Sequence, residues 1–299
     1  MLTLFGLLVN PHRARDMEAL IRAISDACRR RGLHIMLTNE LGDVAANIGA
    51  ITVANAQEMT ERADALIVAG GDGTILHAAA MAARGGVPVL GLHAGNKGFL
   101  SEVTQDGLEE ALDAIAAGSY TIESRITLCA RLIEPANAKS PSDTEPLENA
   151  LALNDAVITR GSYARMIRIR AWVGDTLIGG YDGDGLIIAS PTGSTGYALS
   201  TGGPIISPEV PCILISPICP HASQSRQIVL PDDAVVRLDA TCPTEGGGML
   251  LTLDGRAPII LGRQARIEVA KSAYPLLFIR IKQFPFFERL RSKLAQWNI

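Results

Sequence analysis

The 299-residue sequence predicts an α/β domain built on a mainly parallel sheet, followed by a mainly β domain. Two patterns carry that prediction. Over the first hundred residues, short apolar runs alternate with stretches of helical spacing, as strand-helix crossovers require. Beyond Tyr120, residues Ile122, Ile126, Leu128, Ala130 and Leu132 fall at even positions, the two-residue repeat of half-buried strand.

Leu4 to Val9 reads as the first strand. From Asp16 to Arg31 the residues Met17, Leu20, Ile21, Ile24 and Cys28 recur at three and four, giving a helix with one buried face that Gly32 ends. Leu33 to Leu37 returns as strand. Ala65 to Ala69 is a continuous apolar run of the buried type. Gly70-Gly71, a helix over Thr74–Ala83, the breaker pair Gly85-Gly86 and a strand over Val87–Leu92 complete one crossover unit. Leu108, Leu112 and Ile115 line one face of a further helix that stops at Gly118.

In the second half, Pro135 to Glu148 is polar and Pro-bearing and reads as a loop, while Met166–Val173, Gly174-Asp175 and Thr176–Ile178 read as a hairpin. Strands are expected at Leu186–Ala189, Ile213–Ile215, Ala234–Leu238, Met249–Leu253, Ile259–Leu261, Ala265–Val269 and Leu276–Ile281, and a last helix at Phe286–Trp297.

A chain that is 47% hydrophobic and 19% charged folds into globular domains. Its net charge of -4, without a run of like charge, argues against nucleic acid as a partner. No eighteen-residue apolar stretch occurs, and no basic leader precedes the first strand, so a cytoplasmic protein with no membrane partner is expected. Cys28, Cys129, Cys212, Cys219 and Cys242 form no C-x-x-C pair and read as reduced packing residues. His12, His34, His77, His93 and His221 lack ligand spacing, so no protein-held transition metal is expected.

Two blocks carry chemistry. Gly70-Gly71-Asp72-Gly73-Thr74 lies between a buried strand and a helix start, where glycines let backbone amides approach phosphate oxygens. Asp72 would repel phosphate unless it binds a metal or accepts a proton from a hydroxyl nucleophile, and both roles belong to phosphoryl transfer. The bland alternative is a capping Asp in a tight turn. No Walker loop is present, which removes P-loop kinases, and no G-x-G-x-x-G turn opens the first crossover, which takes most of the support from a hydride-transferring Rossmann enzyme. The second block is Asp182-Gly183-Asp184-Gly185, an apolar strand, then the run from Ser190 through Thr195, Gly196, Tyr197, Ala198, Leu199 and Ser200 to Pro204. Its hydroxyls and glycines suit a polyhydroxylated, phosphate-bearing ligand, Tyr197 can stack on a base, and Asp184 adds a carboxylate.

Together with Gly98-Phe99-Leu100-Ser101-Glu102, Leu153-Asn154-Asp155 and Pro217 to His221, these blocks resemble the NAD kinase family over nearly the whole chain. The resemblance implies an α/β domain at 1–120, a sandwich-like β domain that binds NAD at 121–275, and a segment at 276–299 returning to the first domain. It implies phosphorylation of the adenosine 2′-hydroxyl of NAD by ATP or another phosphate donor such as polyphosphate, with Mg²⁺ accompanying the donor, in a homodimer or homotetramer. Asp72 would accept the hydroxyl proton, beside Gly73 and with His77 near phosphate. Asn154 and Asp155 would hold adenine and ribose, and Arg165, Asp182, Asp184, residues 195–200 and Arg256 would complete the site. The sequence departs from the family pattern at Asp155, where Glu is usual, at Gly196, where Ala is typical, at Asp182, often Arg, and at Asn96-Lys97, usually a Gly-Arg or similar pair. A lipid or sugar kinase sharing the GGDG turn, or a silent dinucleotide binder, are the rival readings.

Overall fold

The computed structural model describes residues 2–9, 17–93, 98–133, 150–161, 166–221, 225–245, 247–281 and 286–297. Arg165, Asn96-Lys97, His12 and the expected loop Pro135–Glu148 lie outside the described residues. The chain divides into a unit made of Met1–Ser124 with Pro275–Ile299 and a second unit, Arg125–Tyr274.

The first unit runs β1 (Leu4–Val9), α1 (Met17–Arg29), β2 (His34–Thr38), α2 (Gly42–Ile48), β3 (Ile51–Val53), α3 (Ala56–Arg62), β4 (Ala65–Ala69), α4 (Asp72–Gly85), β5 (Val89–His93), β6 (Val103–Thr104), α5 (Leu108–Ala116) and β7 (Thr121–Arg125). The second holds β8 (Leu128–Ile133), β9 (Leu151–Ala152), β10 (Asp155–Arg160), β11 (Ile167–Val173), β12 (Thr176–Gly183), β13 (Gly185–Ala189), α6 (Tyr197–Ser200), β14 (Cys212–Ile218), β15 (Ile228–Pro231), β16 (Val236–Thr241), β17 (Met249–Leu253), β18 (Ile259–Leu261) and β19 (Gln264–Lys271). β20 (Leu276–Arg280) and α7 (Phe286–Trp297) belong to the first unit again.

The first sheet has the order β3-β2-β1-β4-β5-β20-β7, with β6 also on β5, and its pairs from β3 to β20 are parallel. Phe5, Leu7, Ile35, Ile67, Leu90 and Ile279 from the sheet pack with Ile21, Ile24, Leu112 and Ile115 from α1 and α5. Strand order reverses between β1 and β4, and the Gly70-Gly71 turn leaves the carboxyl end of β4 there, the place where open α/β sheets take ligands.

α4 begins at Asp72, two residues ahead of the expected Thr74, because Gly71 is extended and serves as its N-cap. Gly85 continues the helix, and Gly86, at φ 64°, ends it. The stretch from 39 to 64, which the apolar period leaves unread, contains α2, β3 and α3. Asn55 caps α3 by accepting from the Glu58 amide at 3.0 Å, and Glu58 reaches back to accept from the Ala54 amide, one residue before the cap, at 2.7 Å, a variant of the capping box that the N-x-x-E spacing suggests.

The even-numbered alternation after Tyr120 is two strands rather than one. β7 lies in the first unit's sheet and β8 in the second unit, so the change of unit falls at 124/125 and not at 120/121. The second unit packs two six-stranded sheets, β15-β14-β13-β10-β17-β18 and β12-β11-β16-β19-β8-β9. Ile158, Leu186, Ile188 and Leu251 of one meet Ile167, Ile169, Leu238 and Ile267 of the other. β13 is apolar throughout because its opposite face is also sealed: Ile187 and Ala189 pack with Ala198, Ile206 and Leu214.

The expected hairpin turns at Gly174, φ 56°, but β12 runs on to Gly183, so Asp182 stands within a strand. β9, β10 and β15 go unread in the sequence. One packing assignment is corrected: Cys219 is exposed, at φ 45°. At the start of α7 Phe286 is buried and Phe287 is 71% exposed.

Candidate functional site

In the first unit, β4 and α4 deliver Asp72 as the first residue of a fourteen-residue helix, where the helix dipole favours an anion. Its Oδ2 accepts from the Phe99 amide at 2.8 Å and its Oδ1 from the Leu100 amide at 3.1 Å. The carboxylate is thereby fixed by charge-assisted bonds from the turn that follows β5. Gly98 makes this possible: a Cβ there would lie 2.6 Å from Asp72 Oδ2 and closer still to Oδ1. Gly73 is exposed, with open space where a Cβ would go, and His77 is exposed on α4. His93 ends β5 with a buried Nδ1 that has no hydrogen-bond partner among the described residues. Burial holds its pKa below the usual histidine value, with the charges of Asp72 and Lys293 acting in opposite senses.

In the second unit, Leu153-Asn154-Asp155 is clamped by Asp254, which the sequence reading passed over as a ligand of this turn. Asp254 carboxylate oxygens accept from the amides of Leu153 at 2.8 Å, Asn154 at 2.7 Å and Asp155 at 3.2 Å. Asp254 sits at φ 52°, and its own amide donates to Asp155 O at 3.0 Å. Burial raises the Asp254 pKa against those three bonds. Asp155 is pushed up to about 7, by burial first and by the charge of Asp254 second.

The hydroxyls between Ser190 and Ser194 are spent inside the protein, contrary to the expectation that they serve a ligand. Ser190 Oγ donates to Leu153 O and accepts from the Gly193 amide. Ser194 Oγ donates to Pro191 O at 2.7 Å and accepts from the Ile206 amide at 3.0 Å. The turn is rigid because it lies on the main chain of Asn154: a Cβ at Gly193 would fall 2.8 Å from Asn154 Cα. What it leaves outward is Tyr197, 45% exposed, and the exposed Ser200, while Thr195, Gly196 and Leu199 are half-buried and Ala198 is buried. Burial, then the charges of Cys219, Asp184 and Asp155, raise the Tyr197 pKa.

Asp184 pairs with Arg160 at 2.7 Å, a partner not singled out in the sequence, and Asp182 pairs across the hairpin with Arg168 at 3.6 Å. Arg256 turns its guanidinium onto the backbone carbonyls of Leu253 and Leu151. Asn154, Asp155, the 190–200 turn and Asp254 are therefore one connected assembly.

A carboxylate fixed at the switch point of a parallel sheet, in one chain with a sandwich that carries a rigid, tyrosine-bearing turn, defines a nucleotide-directed phosphotransferase. Residues 5–120 match the family profile described as ATP-NAD kinase N-terminal domain, and residues 153–281 match ATP-NAD kinase C-terminal domain. The chain belongs to the NAD kinase family. It is 38% identical over 296 residues to an NAD kinase of Heliobacterium modesticaldum, covering 97% of this chain and 98% of that one. An NAD kinase of Caldanaerobacter subterraneus is 39% identical over 292 residues, again 97% and 98%. Among solved structures, yeast NADH kinase complexed with NADH has the same fold with TM-score 0.83 and 24% identity, over 99% of this chain and 88% of that chain. The Archaeoglobus fulgidus NAD kinase in complex with ATP aligns with TM-score 0.73 and 21% identity, over 98% and 99%. No helix among the described residues is long and apolar enough to cross a membrane.

Proposed function

We propose that this protein transfers the terminal phosphoryl group of ATP to the adenosine 2′-hydroxyl of NAD, giving NADP and ADP. The observation that carries the reading is Asp72: a carboxylate at the carboxyl end of β4, held by two amides, in a chain of this family. The 2′-oxygen attacks the terminal phosphorus, the bond from that phosphorus to the ADP oxygen breaks, and the hydroxyl proton passes to Asp72. Such a transfer needs alignment and charge stabilisation more than covalent help, so a rigidly held acceptor suits it.

Asn154, Asp155 and the 195–200 turn hold the adenosine, with Tyr197 offering its exposed ring to a base. Magnesium enters as part of the donor, as MgATP. Among the described residues there is no group of three or more His, Cys, Asp or Glu that could hold an ion, and donor phosphates supply ligands of their own. The proposed setting is the cytoplasm, where both substrates are present. Self-association to a dimer or tetramer is supported by exposed apolar side chains on the two edge strands of one sheet, Val229 on β15 and Ile260 on β18.

The test is NADP formation from NAD and MgATP by the purified protein, beside Asp72→Asn. Turnover in the parent, lost by about 10³-fold or more in the variant with NAD binding kept, is expected. NAD binding without NADP from the parent would make the protein a silent binder, and no NAD binding would return the lipid and sugar kinases.

A further inference from the structure

At the end of the turn that holds Asp72, and again at residues 280 and 289, the first unit buries charges that the reaction as described does not use. The Arg280 side chain is 3% exposed and that of Glu102 is 6% exposed, and Arg280 Nη1 reaches Glu102 Oε2 at 3.1 Å. Arg280 Nε pairs with Glu123 on β7, and its Nη1 lies 3.5 Å from Leu100 O. Arg289 on α7 meets Glu102 at 3.5 Å and donates to Ser101 O.

These groups gather on the carbonyls of the turn 98–102, and Arg289 is also near enough to Asp72 for their charges to interact. The Phe99 and Leu100 amides point to the Asp72 carboxylate, while the next two carbonyls, Leu100 and Ser101, are met by Arg280 and Arg289. Glu102 itself anchors the turn to β5, its amide donating to Gly91 O at 2.9 Å. Buried ion pairs are weak contributors to stability, because desolvation offsets their attraction, and an apolar replacement of equal volume often does as well. Their use here is geometric: charged groups of fixed direction set a short turn that has no regular structure of its own.

We infer that Arg280, bridging Glu102 and Glu123 and assisted by Arg289, is a positioning residue that fixes the turn 98–102 and through it the carboxylate of Asp72. The inference rests on the proposed role of Asp72 as proton acceptor. It makes rate, rather than substrate affinity, depend on side chains from the last twenty-four residues of the chain.

The experiment uses the full chain with Arg280→Lys, which keeps charge but cannot span two carboxylates, and Arg289→Gln, which removes only the outer cation. Steady-state NADP formation per folded molecule is read together with amide hydrogen exchange. Arg280→Lys should lower kcat about tenfold or more with KM for NAD within about twofold. Exchange at Phe99 and Leu100 should quicken about tenfold while the amides of β4 keep their protection. Arg289→Gln should move both readings in the same direction by less. A folded Arg280→Lys with kcat within twofold of the parent and unchanged exchange overturns the inference. If that variant does not fold, unchanged kcat and exchange in Arg289→Gln overturn it. If the parent makes no NADP, the proposed function fails, and exchange at the two amides still decides whether the clamp exists.

Discussion

Gly98→Ala isolates the geometry of Asp72 without touching its chemistry. The new Cβ would stand 2.6 Å from Asp72 Oδ2 and nearer to Oδ1. Ordinary carbon-oxygen approach is about 3.3 Å, so one partner must retreat by roughly 0.7 Å even from the farther oxygen. The Asp72 side chain can swing away, so the fold should survive. The cost is the pair of bonds from Phe99 and Leu100, each about 1.5–3 kcal/mol as a bond to a charged group, less what water restores at this half-buried position. Misplacement near 1 Å is worth about 10² in rate. Expected, then, are a kcat for NADP formation lowered about 100-fold, a KM for NAD within about threefold, and a modest loss of thermal stability. A coupled NADP assay with a melting curve on the same preparation reads all three. Activity within threefold of the parent would refute the claim that the turn 98–100 holds the reacting carboxylate.

Three further outcomes are expected. Asp254→Ala removes the acceptor of three amides and places alanine at φ 52°, so urea unfolding should show a loss of about 2–4 kcal/mol and NAD binding should weaken, with Asp254→Asn much milder. Asp155 ionises at about 7 in the fold but near 3.9 when unfolded, so between those values only the fold holds the proton. Its contribution to stability is therefore lost as pH rises from about 4 to about 7, and Asp155→Asn should flatten that slope in urea midpoints, identical slopes counting against it. Ser194→Ala strips two internal bonds from a buried turn and should cost about 1–3 kcal/mol, measurable as a lower urea midpoint.

Bounded apolar runs and helical spacing made much of the fold legible. Met249–Leu253, Ile259–Leu261 and Phe286–Trp297 are read to the residue, and α1 to within two residues at either end. Between 39 and 64 the apolar residues are scattered among polar ones and form neither a bounded run nor a sustained period, and only the Asn55–Glu58 spacing marks one element. The site divides the same way. Asp72 and the 190–204 run are visible as unusual local strings. Their partners are not: the Phe99 and Leu100 donors are backbone and leave no side-chain signal, and Asp254 acts across about a hundred residues. The hydroxyls of Ser190 and Ser194 show the limit of composition, since the same residue types serve a ligand or the fold according to where their lone pairs point.

β20 lies between β5 and β7, so the sheet of the first unit is closed by residues that follow the whole second unit in sequence. During synthesis the continuous unit, Arg125–Tyr274, can fold as it leaves the ribosome, whereas the earlier unit must wait with β7 unjoined and the start of β5, beyond the reach of β6, unpaired on its β20 side. That interval covers about 150 residues of elongation, on the order of ten to thirty seconds at ordinary rates. The first unit is thus begun first and finished last. Its incomplete sheet is the form that a holding chaperone would meet, and the emergence of β20 is the event that completes it.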